Sequence, residues 1–280
     1  MARRGQGSDP LIWVALLLLG GLAWFALRPA PPAPAKPASP AATPAPTPST
    51  PVPTAQATEV PKARLALVID DWGYQKVPVD RIPSLGFTMT VSVLPNLPFS
   101  KAAAEAGHAA GDEVILHCPM QSVKPVGRER NTLLVTMDAA QARAALETDW
   151  ASVPFADGMN NHEGSKASAD RKLMDVAAAF LKERGCFFLD SVTTAHSAIP
   201  AAAKAAGIPW ARRRVFLDNS EAPAAIERQL DDAVRVALKD GQCIAIGHPH
   251  KTTLDVLRRL APALAAKGVV LVKVSELTHP

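Results

Sequence analysis

The stretch LALVIDDWGY, from Leu65 to Tyr74, starts as an apolar run and stops at two adjacent carboxylates, Asp70 and Asp71. A short, continuous apolar run of this kind predicts a strand of a parallel sheet that is covered on both faces. Two like charges so close together raise each other's pKa unless a cation is present. The pair therefore indicates either a metal site, with one carboxylate as ligand and the other as base, or a loop or helix-capping pair without a ligand.

The sequence on either side of this stretch continues the same organisation. After Lys62, short apolar runs alternate with alanine-rich helical stretches, which is the pattern of an α/β fold. Residues 62–280 are predicted to form one domain. The predicted strands are Arg64–Asp70, Phe87–Leu94, Val114–His117, Thr132–Thr136, Cys186–Asp190, Trp210–Leu217, Cys243–Gly247 and Val269–Val274. The predicted helices are Ser100–Ala110, Ala139–Val153, Ser168–Arg184, Ala222–Lys239 and Thr252–Lys267.

Aspartate and histidine residues recur where these predicted strands end. Besides Asp70 and Asp71, His117 ends the third strand, Asp190 the fifth, and His248 follows the strand Cys243–Gly247. Neither residue type favours strands. The carboxyl ends of parallel strands are where barrels and open sheets of βα units build their active sites. The pattern therefore predicts a functional site at this rim.

The first 61 residues read differently from the rest. Residues 11–27 carry no charge and follow Arg3 and Arg4, which predicts a membrane helix with residues 1–10 in the cytoplasm and the rest exported. A cleaved signal peptide is the competing interpretation. Residues 28–61 contain twelve prolines among mostly small residues, which predicts a disordered linker. We therefore expect a single-pass membrane protein with its folded domain outside the cytoplasm.

Composition excludes two other classes of protein. The formal net charge is +4, of which residues 62–280 carry only +2, so we expect no nucleic-acid partner. The three cysteines, Cys118, Cys186 and Cys243, are too few for a disulfide scaffold.

Several motifs, in order along the domain, resemble those of one family. They are Val68–Asp71, Val91–Pro95, Gly111–His117, His117–Met120, Asn161–Ser165, Phe188–Ser191 and Ala245–His248. The sequence resembles the divergent polysaccharide deacetylases, a branch of the NodB-like deacetylase superfamily. The resemblance implies a distorted (β/α)7 barrel whose rim binds one divalent ion, usually zinc.

The resemblance also assigns roles to the residues at the rim. It implies Asp71 and His117 as metal ligands, Asp70 as general base and His248 as general acid. Ordinary deacetylases place a second histidine four residues after the first, but this chain has Gln121 there. Our candidate for the third ligand is His162, in a stretch that reads as a polar loop. Asp and two His with an open position is a coordination that hydrolytic zinc uses.

Four further residues are candidates for substrate binding. Asn161 and Ser165 flank His162, Asp190 could orient a histidine or contact sugar hydroxyls, and His250 could orient His248 or bind substrate. The resemblance implies removal of N- or O-acetyl groups from an envelope polysaccharide, of which peptidoglycan is one candidate. With the predicted membrane helix, it also implies a location at a bacterial inner membrane with the folded domain in the periplasm. Two alternatives stay open: a non-catalytic envelope protein that binds carbohydrate or a protein partner, and hydrolysis of another amide or ester.

Overall fold

The computed structural model describes residues 63–124 and 129–280, and every structural statement below concerns these residues. Nine strands lie in this part of the chain: β1 (Ala63–Trp72), β2 (Thr90–Val93), β3 (Glu113–Met120), β4 (Ala156–Glu163), β5 (Phe187–Asp190), β6 (Trp210–Arg212), β7 (Val215–Phe216), β8 (Gln242–Gly247) and β9 (Val269–Leu271). The α-helices described there are α1 (Lys76–Val79), α2 (Ser100–Ala109), α3 (Ala139–Ala151), α4 (Arg171–Arg184), α5 (Ile199–Ala206), α6 (Pro223–Asp240) and α7 (Lys251–Leu260).

The strands form one curled, parallel sheet. Its order is β6-β5-β4-β3-β2-β1-β8-β7, and β9 pairs with the start of β1. The strands β6 and β7 follow each other in the chain, with only Arg213 and Arg214 between them. They nevertheless lie at opposite ends of the sheet, because β6 pairs with β5 and β7 pairs with β8. The fold is therefore a curled parallel half-barrel, and the predicted parallel α/β architecture is confirmed. The single strand predicted over Trp210–Leu217 is therefore two short strands, β6 and β7, separated at Arg213 and Arg214.

Apolar side chains cover both faces of the central strand, as its continuous apolar run predicts. Leu65, Leu67 and Ile69 are fully buried in the larger cluster, to which the helices contribute, while Ala66 and Val68 join a smaller cluster made mostly of strand residues. The alternation is the ordinary period of two of a β-strand. Burial on both sides fixes the strand's register and holds its carboxyl end, with Asp70 and Asp71, at the rim.

The strand predicted at Thr132–Thr136 is wrong. That stretch forms an isolated bridge between Leu133 and Met120. The next strand of the sheet after β3 is instead β4. Its sequence, ADGMNNHE, lacks β-branched residues and reads as a loop. Pairing with β3 on one side and β5 on the other overrides its weak strand propensity. Helix α5 is also absent from the predicted elements.

An irregularity in β1 brings the two aspartates to the same site. The register pairs Ile69 with Val91 and Trp72 with Val93, so β1 advances three residues while β2 advances two. This is one extra residue, as in a β-bulge, and Asp71 has φ of 60°. Neighbouring side chains of a regular strand point to opposite faces. The bulge and the left-handed backbone at Asp71 let both carboxylates approach His117.

The predicted N-terminal segments, residues 1–10, 11–27 and 28–61, lie outside the described residues. Within residues 63–124 and 129–280, no helix combines the length and hydropathy that crossing a membrane requires.

Candidate active site

Three potential metal ligands meet at the rim. Asp71 from the bulge, His117 from β3 and His162 from β4 bring one ligand atom each to a common point. Asp71 Oδ1 lies 3.1 Å from His117 Nε2 and 3.0 Å from His162 Nδ1, and the two nitrogens are 3.2 Å apart. Asp71 Oδ1 is buried and has no aligned hydrogen-bond donor. The structure therefore brings together the three predicted ligands.

The dimensions of this triangle fit a tetrahedral metal site. With ligand bonds of about 2.0–2.1 Å, zinc in a tetrahedral site separates its ligand atoms by about 3.3 Å. The three distances, 3.0, 3.1 and 3.2 Å, are close to that value. Burial raises the pKa of Asp71, but the adjacent His117 and His162 outweigh it and hold that pKa well below the ordinary value. The carboxylate is thus ionised, as a ligand must be.

A buried asparagine sets the tautomer of His117. His117 Nδ1 lies 2.7 Å from Asn160 Oδ1, which also accepts from the Ser92 hydroxyl at 2.8 Å. The amide nitrogen of Asn160 donates to Asp70 Oδ1 at 2.9 Å and to Ser191 Oγ at 3.1 Å. Because a carbonyl oxygen can only accept, Nδ1 of His117 carries the proton. The lone pair of neutral His117 therefore lies on Nε2, which faces Asp71 and His162.

The far side of His162 faces another carboxylate. His162 Nε2 lies 3.6 Å from Glu129 Oε2, and the Tyr74 hydroxyl donates to Glu129. Burial and the bond to Glu129 raise the pKa of Tyr74, so the phenol stays protonated. Glu129 is thus placed to orient His162, as carboxylates beside metal-binding imidazoles often do.

His248 lies across the rim and is held by a fully buried aspartate. His248 Nδ1 is 3.0 Å from Asp218 Oδ1, and its backbone N–H donates to Asp218 Oδ2 at 2.7 Å. Thr253 Oγ1 donates to Asp218 Oδ2 at 2.8 Å. Burial lowers the pKa of His248, but the bond to Asp218 and the charge of Asp71 outweigh it and raise that pKa to about 9. His248 Nε2 points toward Asp71 Oδ2, 3.8 Å away.

Asp70 is buried beside the triangle without joining it. One carboxylate oxygen accepts the Asn160 amide, and the other lies 3.7 Å from His117 Nε2. Asp70 is thus oriented through the same asparagine that orients His117. Its second oxygen is left facing the metal-ligand cluster.

Two of the predicted substrate-binding residues, Asn161 and Ser165, form hydrogen bonds within the protein. Asn161 is buried; its amide nitrogen donates to Glu163 O and Thr193 Oγ1, and its oxygen accepts from Ser191 N. Ser165 Oγ accepts from Val123 N at 3.0 Å. These contacts hold the loops that follow β4 and β5, and the predicted contacts with substrate stay predictions.

The other two predicted substrate-binding residues differ in exposure. Asp190 is fully buried and lies 3.2 Å from Arg212 Nε, with Val192 N donating to its other oxygen. Asp218, rather than Asp190, is the aspartate that orients a histidine. His250 immediately precedes α7, its side chain is 42% exposed, and it lies 3.8 Å from Glu221. Asp218, His248 and His250 form a second group of potential ligands, but the Asp218–His248 contact is a hydrogen bond in the structure.

Gln121 is turned away from the ligand cluster. Its side-chain oxygen accepts from Val135 N at 3.0 Å, and its backbone oxygen accepts from Lys166 N and Ala167 N. It therefore ties β3 to the segments around Val135 and Lys166. The third potential ligand of the cluster is His162 of β4.

A cavity of about 270 Å³ opens beside Asp71 and His248. Its walls come from the segment after β1 and from the start of α7, and they include Trp72, Gly73, Tyr74, Gln75, Pro78, Pro249, His250 and Lys251. The side chain of Tyr74 is about half exposed at this cavity. A small acyl group and part of a sugar could be accommodated next to the two residues that face the rim.

Sequence reasoning missed Asn160, Asp218 and Glu129. Asn160 precedes Asn161 by one residue, and a strand reading of β4 would have placed Asn160 on the same face as His162. Asp218 follows the predicted strand Trp210–Leu217, so it carries the same strand-end signal as the other candidates. Glu129 stands in an irregular loop and gives no comparable signal.

Comparison with known proteins agrees with the resemblance in the motifs. The family model described as divergent polysaccharide deacetylase matches residues 67–278. The uncharacterized protein YibQ of Escherichia coli (strain K12) is 34% identical over 225 residues, covering 80% of this chain and 70% of that protein. An uncharacterized protein of Haemophilus influenzae is 38% identical over 197 residues, covering 70% of each. The crystal structure of uncharacterized protein ATU2773 from Agrobacterium tumefaciens C58 superposes with a TM-score of 0.72 at 22% identity, covering 77% of this chain and 89% of that one, and so shares the fold.

Proposed function

Because the chain belongs to the divergent polysaccharide deacetylase family, we propose that it is a metal-dependent hydrolase that removes N- or O-acetyl groups from a polysaccharide of the bacterial cell envelope. The observation that carries this proposal is the triangle of Asp71, His117 and His162, with edges of 3.0–3.2 Å. Its size suits one small divalent ion, and a proton donor and a proton acceptor lie beside it. A binding protein would not require this combination.

Asp71 Oδ1, His117 Nε2 and His162 Nδ1 would hold the ion, for which zinc is the proposed identity because these donors are ones that zinc prefers. When bound, zinc would polarise an acyl carbonyl and lower the pKa of a water molecule. Asn160 and Glu129 contribute by orienting the two imidazoles. Removing such orienting partners typically weakens metal affinity about 10- to 100-fold.

Asp70 is the proposed general base. Asn160 holds one of its oxygens, so the other is presented to the site in a fixed direction. That oxygen can take the proton from the attacking water while Asp71 remains a ligand. The two adjacent aspartates thereby divide two tasks, which the bulge in β1 makes geometrically possible.

His248 is the proposed general acid. The bond to Asp218 places a proton on Nδ1 and favours the doubly protonated ring, whose Nε2–H faces the rim. His248 can then donate the Nε2 proton to the leaving nitrogen or oxygen of the sugar. Expelling an unprotonated amine is slow, so such a donor is needed for N-deacetylation.

The proposal is tested by measuring metal content and acetate release on the same variants. Wild-type protein should bind about one zinc ion per chain, and Asp71→Asn or His162→Ala should lower the occupancy. Asp70→Asn and His248→Ala should keep the metal but release acetate from acetylated glycans roughly 10²–10⁴-fold more slowly. His196→Ala, at an exposed loop histidine, is the matched control.

Two results would contradict the proposal. Protein that stays metal-free in excess zinc would remove the metal-dependent reaction. Protein that binds zinc and glycan but releases no acetate would favour the carbohydrate-binding alternative.

We also propose that the domain works in the periplasm, tethered to the inner membrane by residues 11–27 and the linker 28–61. The support is the uncharged run behind Arg3 and Arg4 in the sequence. Fractionation of cells and protease protection of spheroplasts would test the location. A full-length chain that stays in the cytosolic fraction would contradict it.

A further inference from the structure

A basic groove along α7 adjoins the cavity beside His248. The groove has a volume of about 640 Å³ and is lined by Pro223 and by residues of α7, among them Lys251, Asp255, Arg258 and Arg259. Lys251 lines both the cavity and the groove. A chain-like ligand with one sugar at His248 could therefore extend along α7. The helix has 10 residues, which makes it about 15 Å long.

Positive charge is in excess along this groove. Asp255 is shared by two cations, with Arg81 at 2.5 Å and Lys251 at 2.7 Å, and Arg259 pairs with Glu227. Among the described residues, Arg258 makes no ion pair with a carboxylate and its side chain is exposed. Lys251, Arg258 and Arg259 line the groove with one carboxylate, Asp255, and the charges of the neighbouring Arg81 and Glu227 cancel each other. The groove carries two positive charges that are not neutralised by its own side chains.

The packing of α7 does not require these cations. The helix buries its apolar side, including Leu254 and Leu257, against the core. Lys251, Arg258 and Arg259 lie outside that apolar side and are mostly solvated. Exposed ion pairs contribute little to stability, so pairs such as Arg259–Glu227 can exchange partners at little cost. The basic side of the helix is therefore free to bind an anion.

We infer that the polysaccharide substrate is anionic, and that the α7 groove binds acidic groups on sugars next to the one whose acetyl group is removed. This inference rests on the proposed function, because it places the reacting sugar at His248. Guanidinium groups bind carboxylates through paired, charge-assisted hydrogen bonds. A neutral acetylated glycan would fill the same cavity but would gain nothing from Arg258 and Arg259.

Two probes that differ mainly in charge test the inference with the full-length, metal-loaded protein. Hyaluronan oligosaccharides alternate N-acetylglucosamine with glucuronate, and chitin oligosaccharides of equal length are N-acetylated and neutral. We expect tighter binding of hyaluronan, weakening as salt is raised, because screening at about 0.3 M salt shortens the range of charge interactions to a few ångströms. Arg258→Ala should weaken hyaluronan binding roughly 3- to 10-fold and leave chitin binding unchanged. Arg258→Lys should retain part of the affinity, because it keeps the charge and loses the paired hydrogen bonds.

The control is Lys172→Ala, which removes one exposed charge on α4, away from the groove. Equal affinity for the two probes, no measurable hyaluronan binding, or equal losses in Arg258→Ala and Lys172→Ala would overturn the inference. Binding needs no turnover, so the two proposals fail separately. Arg258-dependent hyaluronan binding without acetate release from either probe would refute the hydrolase alone. Acetate release from both probes without an effect of Arg258 would refute the anionic substrate alone.

Discussion

The sharpest prediction concerns a buried carboxyl group outside the proposed chemistry. Asp149, near the end of α3, is fully buried. Its Oδ1 accepts from Asn96 Nδ2 at 2.7 Å and from Asn131 Nδ2 at 3.3 Å, while Oδ2 has no partner. Burial raises the pKa of Asp149 to about 7, since two neutral amides only partly replace water around a charge. We therefore expect Asp149→Asn to stabilise the protein at alkaline pH.

The size and the sign follow from proton linkage. The folded protein keeps the proton of Asp149 up to pH about 7, whereas the unfolded chain loses it near the ordinary pKa of 3.8. Between these values the folded state binds more protons, so the free energy of unfolding falls as pH rises. At about 1.4 kcal/mol per pKa unit, the loss is at most about 4 kcal/mol and is complete above pH about 7. An asparagine keeps the acceptor oxygen and cannot ionise.

Urea denaturation of wild type and Asp149→Asn at pH 5 and pH 8 measures this directly. The free energy of unfolding of the variant should exceed that of wild type by up to about 4 kcal/mol at pH 8 and by distinctly less at pH 5. Asp138→Asn is the matched control, because Asp138 caps the other end of α3 and asparagine caps a helix equally well. An Asp149→Asn variant that is less stable than wild type at pH 8 would show that the ionised carboxylate is needed, and the reasoning would fail.

Three further predictions concern the site. Asn160→Ala should reduce zinc affinity about 10- to 100-fold by calorimetric titration, because it frees the His117 tautomer; an unchanged affinity would contradict this. Asp218→Asn should leave the zinc content unchanged and slow acetate release at least about 10²-fold, because it removes the charge that keeps His248 protonated. Equal rates in the variant and wild type would show that His248 is not the general acid. Gln121→His should not tighten zinc binding, because Gln121 is bonded to Val135 N; a tighter site would show that this position faces the ion.

The sequence predicts the parts of this protein that depend on local patterns. The apolar run of β1 predicts a buried parallel strand, which the structure has, and the potential ligands Asp71, His117 and His162 meet at its end. The strand β4 could not be predicted in this way, because its strand conformation comes from its neighbours β3 and β5. Treating residues 156–163 as a loop also hid which side chains share a face with His162. The sequence therefore singles out Asn161, whereas Asn160 is the residue that contacts His117 and Asp70.

Orienting residues are harder to find than ligands for a physical reason. A ligand is recognised by its type, since Asp and His are few and suit metals, but an orienting residue is defined by the hydrogen bond that it makes. Asn160 links Asp70 to His117 across β1, β3 and β4. Asp218 reaches His248 from the segment after β7. Such contacts join positions 30 to 90 residues apart, and only the curled sheet brings them together.

The register of β3 and β4 explains how His162 reaches the candidate ligand cluster. His117 lies opposite Asn160, and Pro119 lies opposite His162. A residue two positions along β4 from Asn160 thus returns to the same face, one step closer to the rim. There its Nδ1 reaches Asp71 Oδ1 at 3.0 Å. A ligand supplied by the neighbouring strand does not depend on position 121, which is left to bind Val135 N. We therefore expect the ion to be lost with His162 and retained with any residue at 121 that preserves this backbone contact.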